Sequence, residues 1–135
     1  MSWIVANIRW IMLVSGALTC TMLYAAVAPE AAIRSSFGES LEGPIAGIVV
    51  RSWGALIGLM GAMLIYGSNR PLERPMILTV VGTSKLVFVA LVLSHGQRFL
   101  GYQAGVAVAV DVAVVALIAA YLILSRRGAA LAERA

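Results

Sequence analysis

The chain has 135 residues, 61% of them hydrophobic and 12% charged. A soluble domain this short exposes much of its surface and needs more charge than that, so the excess apolar surface must face something other than water. The net charge of +4 does not indicate nucleic-acid binding, because the basic residues are scattered and stand mostly at the ends of apolar runs.

A bilayer core of roughly 30 Å needs about 20 apolar residues in a helix. Four stretches meet that length, which predicts an all-α, polytopic membrane protein built as one antiparallel bundle of four transmembrane helices. The first span covers 4–28, from Ile4 to Ala28. Ala26-Val27-Ala28 has the look of a signal-peptide cleavage site, but the apolar stretch is long and Pro29 would directly follow the cut, so an uncleaved span is expected. Ser15, Thr19 and Tyr24 give it a partial polar stripe, and hydroxyls in spans mostly bond their own backbone. Its single cysteine, Cys20, excludes an internal disulfide, a CxxC pair and a cysteine-rich metal site.

The connection 29–44 is the long one. Ile33, Phe37 and Leu41 recur every four residues, which fits a short helix lying on the membrane surface. Gly38 interrupts that pattern and fits a plain solvated loop instead.

The second span covers 45–66. Arg51 lies on the same helical face as Gly47, Gly54, Gly58 and Gly61. Gly54 and Gly58 form a GxxxG pair, which lets another helix approach closely, so this face reads as a packing surface. After a short turn, the third span covers 76–94 and the fourth 99–124. Tight connections make spans two and three, and three and four, antiparallel neighbours. The tail 125–135 reads as a helical extension or a frayed end.

Ionisable groups inside spans mark function or specific pairing. Arg9 is close enough to its span end to snorkel. Arg51, Lys85 and Asp111 are deeper. The midpoint of 85 and 111 is 98, within the last turn, so the two side chains lie at one depth, roughly 15–20 Å from the outer end. They are expected to form an ion pair or hydrogen bond. Arg51 has the reach for Asp111 or, turned outward, for Glu42. Such a pair serves either to fix helix register or to build a binding pocket, and a triad of net +1 favours an anion. His95, Tyr102 and Gln103 at the outer end are candidates for the pocket rim, with a headgroup contact the alternative for His95.

Arg9, Arg70, Arg74, Arg126, Arg127 and Arg134 fall on one side, Arg34 and Arg98 on the other. Six against two predicts that both termini are cytoplasmic. The arginine, alanine and glycine bias fits a GC-rich bacterial genome, and the expected location is a bacterial inner membrane.

The sequence carries no phosphate loop, no HExxH and no Ser/His/Asp set, so no catalytic residue, no metal site and no cofactor is expected. The first span lacks the embedded glutamate on which small multidrug transporters depend. Arg51, Gly54, Gly58 and Gly61, then Asn69-Arg70-Pro71, then Lys85 with Phe88, give a layout that resembles the small four-helix bacterial membrane proteins grouped around DoxX. That resemblance implies a four-helix fold and, through DoxX itself, a subunit role in quinone-coupled oxidation; it carries no catalytic residue.

Three functions follow as expectations. The first is a small accessory subunit, partnered by another membrane protein in the lipid bilayer. The second is a binder or carrier of a lipid or small anionic molecule through Arg51, Lys85 and Asp111. The third is a homo-oligomeric channel assembled through Gly54 and Gly58. No nucleic-acid partner is expected.

Overall fold

Proline sets the helix boundaries. It lacks the backbone N–H that a helix interior requires, but it suits the first turn, where that donor has no partner. Pro29 and Pro44 open helices, and Pro75 is the second residue of a third. The computed structural model describes residues 2–135, which are helical with short connections and contain no strand among the described residues. The order is α1 (Trp3–Cys20), a 3-10 turn (Thr21–Leu23), α2 (Tyr24–Val27), α3 (Pro29–Phe37), α4 (Pro44–Ser68), α5 (Arg74–Ser94) and α6 (Gln103–Arg134). Four helical stretches are long and apolar enough to cross a membrane: Trp3–Val27, Pro44–Ser68, Arg74–Ser94 and Gln103–Arg134.

Several boundaries differ from those read in the sequence. The fourth long helix starts at Gln103, not at Phe99. Phe99 and Leu100 lie in the turn and fold inward against Val89, Val92 and Val108. Residues 125–134 continue α6 without a break, since nothing after Leu124 removes a helical donor until the chain ends. The segment after the first span does form a helix, α3. It packs against α2, α4 and α6, and it buries Pro29, Ala32 and Ser36, with Ile33 and Phe37 partly covered. Gly38 ends it in the left-handed region, at φ 70°, with its N–H bonded to Arg34 O. A side chain is costly in that conformation, so the glycine stops the helix and does not merely loosen it.

The neighbour relations also differ in emphasis. Helix α4 packs most extensively on α1 and its continuation α2, and less on α5; helix α5 packs mainly on α6. Glycine explains the first contact. A Cβ placed on Gly61 would lie 2.7 Å from Gly16 O and 2.7 Å from Cys20 N, and one on Gly16 would lie 2.8 Å from Gly61 O. Such separations admit hydrogen but not carbon, so the two backbones touch only because both residues lack side chains. Gly54 meets Ala25 and Ala26, and Gly58 meets Leu23. The face of α4 expected to receive another helix is therefore filled by the chain's own first span. Gly47 is the exception and corrects the sequence reading: nothing stands within 4 Å of its notional Cβ.

The apolar interior is uneven. Near the start of α1 and the end of α4, one cluster joins Ile8, Met12, Leu64, Leu78, Val81 and Ile118 across four helices. Toward the other end it divides. Ala25, Ala32 and Val50 form one small cluster, and Val89, Val92 and Val108 another. Phe37 of α3 reaches between them, with ring centroids 6.3 Å from Trp53 and 5.3 Å from Phe99, the latter edge to face. The space left by this division is where cavities form.

Replacing Gly61 with valine should cost about 1–3 kcal/mol, because two backbone atoms would have to move. Replacing Gly47 with alanine should leave stability unchanged or raise it by up to about 1 kcal/mol, since a helical glycine is removed at an open position. Denaturant unfolding in detergent micelles checks both; equal losses at the two sites would contradict this packing.

Candidate functional site

Lys85 is nine residues before the end of α5, and Asp111 is eight residues after the start of α6. At 1.5 Å per residue both lie roughly 12–14 Å from their shared turn. The side chains meet there, with Lys85 Nζ 2.6 Å from Asp111 Oδ1 and side-chain exposures of 11% and 14%. In an apolar layer two opposite charges gain strongly from contact and lose strongly from separation.

A third residue completes the arrangement. Lys85 Nζ also donates to Thr19 Oγ1 at 3.2 Å. Thr19 in turn donates to Ser15 O at 2.7 Å, so its proton is committed and its lone pairs face the ammonium. Hydroxyls in spans are expected mostly to bond their own backbone; Thr19 does so and also links α1 to the pair on α5 and α6. The depth count that matches Lys85 to Asp111 also selects Thr19, eight residues before Val27 at the end of α2.

An ammonium carries three protons and a carboxylate two oxygens. Among the described residues, Asp111 and Thr19 take two of the protons, and Lys85 takes one oxygen. One N–H and one carboxylate oxygen are left. Among the described residues no fully buried side-chain nitrogen or oxygen is without a partner, so the unbonded carboxylate oxygen of Asp111 is not sealed in protein. Lys85 and Asp111 both line a cavity of about 400 Å³. Its walls are mainly apolar, including Met22, Ile57, Met60, Val81 and Val110, with Ser84, Tyr24, Ser36 and Gln103 as further polar groups.

Arg51 is elsewhere. Its guanidinium donates to Ala26 O at 2.6 Å and Val27 O at 3.2 Å, and it reaches neither Asp111 nor Glu42. The cause is the break at Ala28-Pro29. Pro29 has no N–H and α3 begins anew, so the last carbonyls of α2 lose their helical donors. A basic side chain at a helix C-terminus satisfies such carbonyls. The triad inferred from sequence is therefore a pair plus a structural cap.

The rim candidates also separate. Gln103 lines the charged cavity, and its Oε1 accepts a long bond of 3.4 Å from Tyr24. His95 does not line it. Its Nδ1 stands 2.7 Å from Leu91 O, which as a carbonyl can only accept, and its ring lies beside Phe99. His95 borders a second cavity of about 410 Å³ between α4 and α5. Tyr102 lines neither, and its ring covers Gly38, where a Cβ would collide with it. Arg98 pairs with Glu39, which ties the α5–α6 turn to the segment after α3. Both partners are well exposed, so that pair adds little stability.

With this geometry in view, the chain matches no known family pattern, no curated protein and no solved structure.

Lys85→Met should strand the Asp111 carboxylate and cost about 3 kcal/mol. Lys85→Met combined with Asp111→Leu removes both charges and should recover more than half of that loss. Arg51→Gln, which weakens only the cap, should cost about 1 kcal/mol. Unfolding free energies in micelles check the series, and a double variant less stable than either single would refute the coupling.

Proposed function

We propose that this protein spans the bilayer four times as an antiparallel bundle and binds a small, uncharged amphiphile in the Lys85–Asp111 cavity. The observation that carries this reading is the neutral pair at the floor of an apolar cavity, with one donor and one acceptor left over. The volume of about 400 Å³ falls within the range of ordinary small-molecule sites. Apolar walls with a few convergent polar groups are also what such sites use.

Charge decides the ligand class. With Arg51 committed to backbone carbonyls, Lys85 and Asp111 sum to zero in place of +1. An anion at Lys85 would also meet Asp111, and a cation at Asp111 would also meet Lys85. A neutral group that accepts one hydrogen bond and donates another, such as a hydroxyl or a primary amide, satisfies both remaining atoms without a net charge. The preference for an anionic ligand rested on Arg51 and does not carry over.

The setting we propose is a bacterial inner membrane, with both termini cytoplasmic, on the arginine distribution. The DoxX-like layout is compatible with it. An accessory-subunit role rests on the lack of a catalytic set in the sequence and on the glycine face of α4, which the first span occupies. A channel assembled through Gly54 and Gly58 would need that same face.

Native mass spectrometry of protein gently extracted from its own membranes tests the reading. Wild type should carry a small bound mass. The Lys85→Met/Asp111→Leu variant should lose it while keeping its helical circular dichroism. Retention of the same mass by that variant would refute the site, and release of an empty chain bound to a second protein would favour the accessory role.

A further inference from the structure

The second cavity continues the first. Phe37, Trp53 and Phe88 border both. Along α5 and its C-cap, Lys85, Phe88, Val92 and His95 follow at spacings of three, four and three residues, which is one stripe of a helix. The first two border the charged cavity and the last three the other. On α4, Met60, Ile57, Trp53 and Val50 form the matching stripe, running from the charged cavity into the apolar one. The two spaces therefore lie end to end along the groove between α4 and α5. Ten residues separate Lys85 from His95, roughly 15 Å of helix.

The residues common to both linings are the aromatic Phe37, Trp53 and Phe88. Phe37 is held by ring contacts with Trp53 and Phe99 and makes no hydrogen bond through its side chain, so rotation about its side-chain bonds can join the two spaces. Polarity runs in one direction along the track. In the charged cavity Lys85 and Asp111 have bonding capacity to spare. In the second, the polar side chains are Glu39, paired with Arg98, and His95, whose Nδ1 bonds Leu91 O; both are exposed and stand beside the α5–α6 turn, at the end remote from Lys85. The rest of its lining is aliphatic or aromatic.

We infer that the two cavities are compartments of one site, and that the second receives the hydrocarbon tail of a single-chain amphiphile whose neutral polar group sits on Lys85 and Asp111. The inference rests on the reading above and specifies its ligand: a linear chain ending in a hydroxyl or amide, with the chain lying along α4 and α5 past Phe37. A compact ligand would fill the first compartment alone. A two-tailed lipid would need a second apolar branch, which the charged end does not offer.

The experiment uses the full chain in lipid nanodiscs and two photoreactive primary alcohols, butanol and dodecanol, each with a diazirine at the end remote from the hydroxyl. Labelled residues are mapped by peptide mass spectrometry, and saturable labelling is defined by excess unlabelled alcohol. Butanol should label the first compartment, around Ile57, Met60 and Ser84. Dodecanol should label the second, around Leu91 and Val92. Val49→Trp, which adds an indole at the wall of the second compartment, should reduce saturable dodecanol labelling there by about tenfold and leave butanol labelling unchanged. Lys85→Met/Asp111→Leu should abolish saturable labelling by both. Two outcomes would overturn the inference while sparing the site itself. In one, dodecanol labels only the first compartment. In the other, it labels the second equally well in the Lys85/Asp111 double variant. Absence of saturable butanol labelling would instead remove the site, and the inference with it.

Discussion

An ammonium and a carboxylate carried on neighbouring apolar helices cannot be indifferent to each other. Each is expensive to desolvate alone, and contact is the cheapest remedy when water is scarce. In this chain that requirement fixes the register of α5 against α6, because Lys85 and Asp111 meet only if the two helices align from their common turn. It also draws in α1 through Thr19. Three helices thus share one polar point just above the continuous core. On the far side, the packing divides into two small clusters, and the space between them is the cavity. Register, cavity and chemical character all trace to the same contact.

What the sequence revealed depended on whether a local rule was sufficient. Apolar length gave the four long helices, and the second and third begin within two residues of their expected starts, at Pro44 and at Arg74-Pro75. Counting residues from a tight turn matched Lys85 with Asp111, because rise per residue is a property of any helix. Arg51 failed the same treatment for an identifiable reason. Its partners are backbone carbonyls freed by a break in a different helix, and hydropathy does not register hydrogen-bond vacancies. The glycines of α4 were recognisable as a contact face, yet nothing local states which helix arrives. It proved to be α1 and its extension, with Gly16 supplying the other half of the closest approach. Phe99 and Leu100 were read as the start of a span because they are apolar, whereas they turn inward as part of the bend.

The 3-10 turn at Thr21–Leu23 has a part in this arrangement. A 3-10 helix advances 120° per residue where an α-helix advances 100°, so three residues over-rotate the chain by about 60°. Its last residue, Leu23, and Ala25 just beyond it come to rest against Gly58 and Gly54. Before it, Gly16 rests against Gly61. The same turn contributes Thr21 and Met22 to the cavity wall. A small winding defect therefore lets one segment follow α4 from Gly61 to Gly54 and still border the site.

Helix α6 runs unbroken for 32 residues, roughly 48 Å, against a hydrocarbon thickness of roughly 30 Å. Asp111 is in its first half, and Arg126, Arg127 and Arg134 are on its final turns. No proline interrupts the length between them, so the helix is a stiff shaft with a carboxylate at one end and a basic grip at the other. A twist applied at the grip would be carried to Asp111 as rotation, and turning that carboxylate away from Lys85 would change what the cavity can hold.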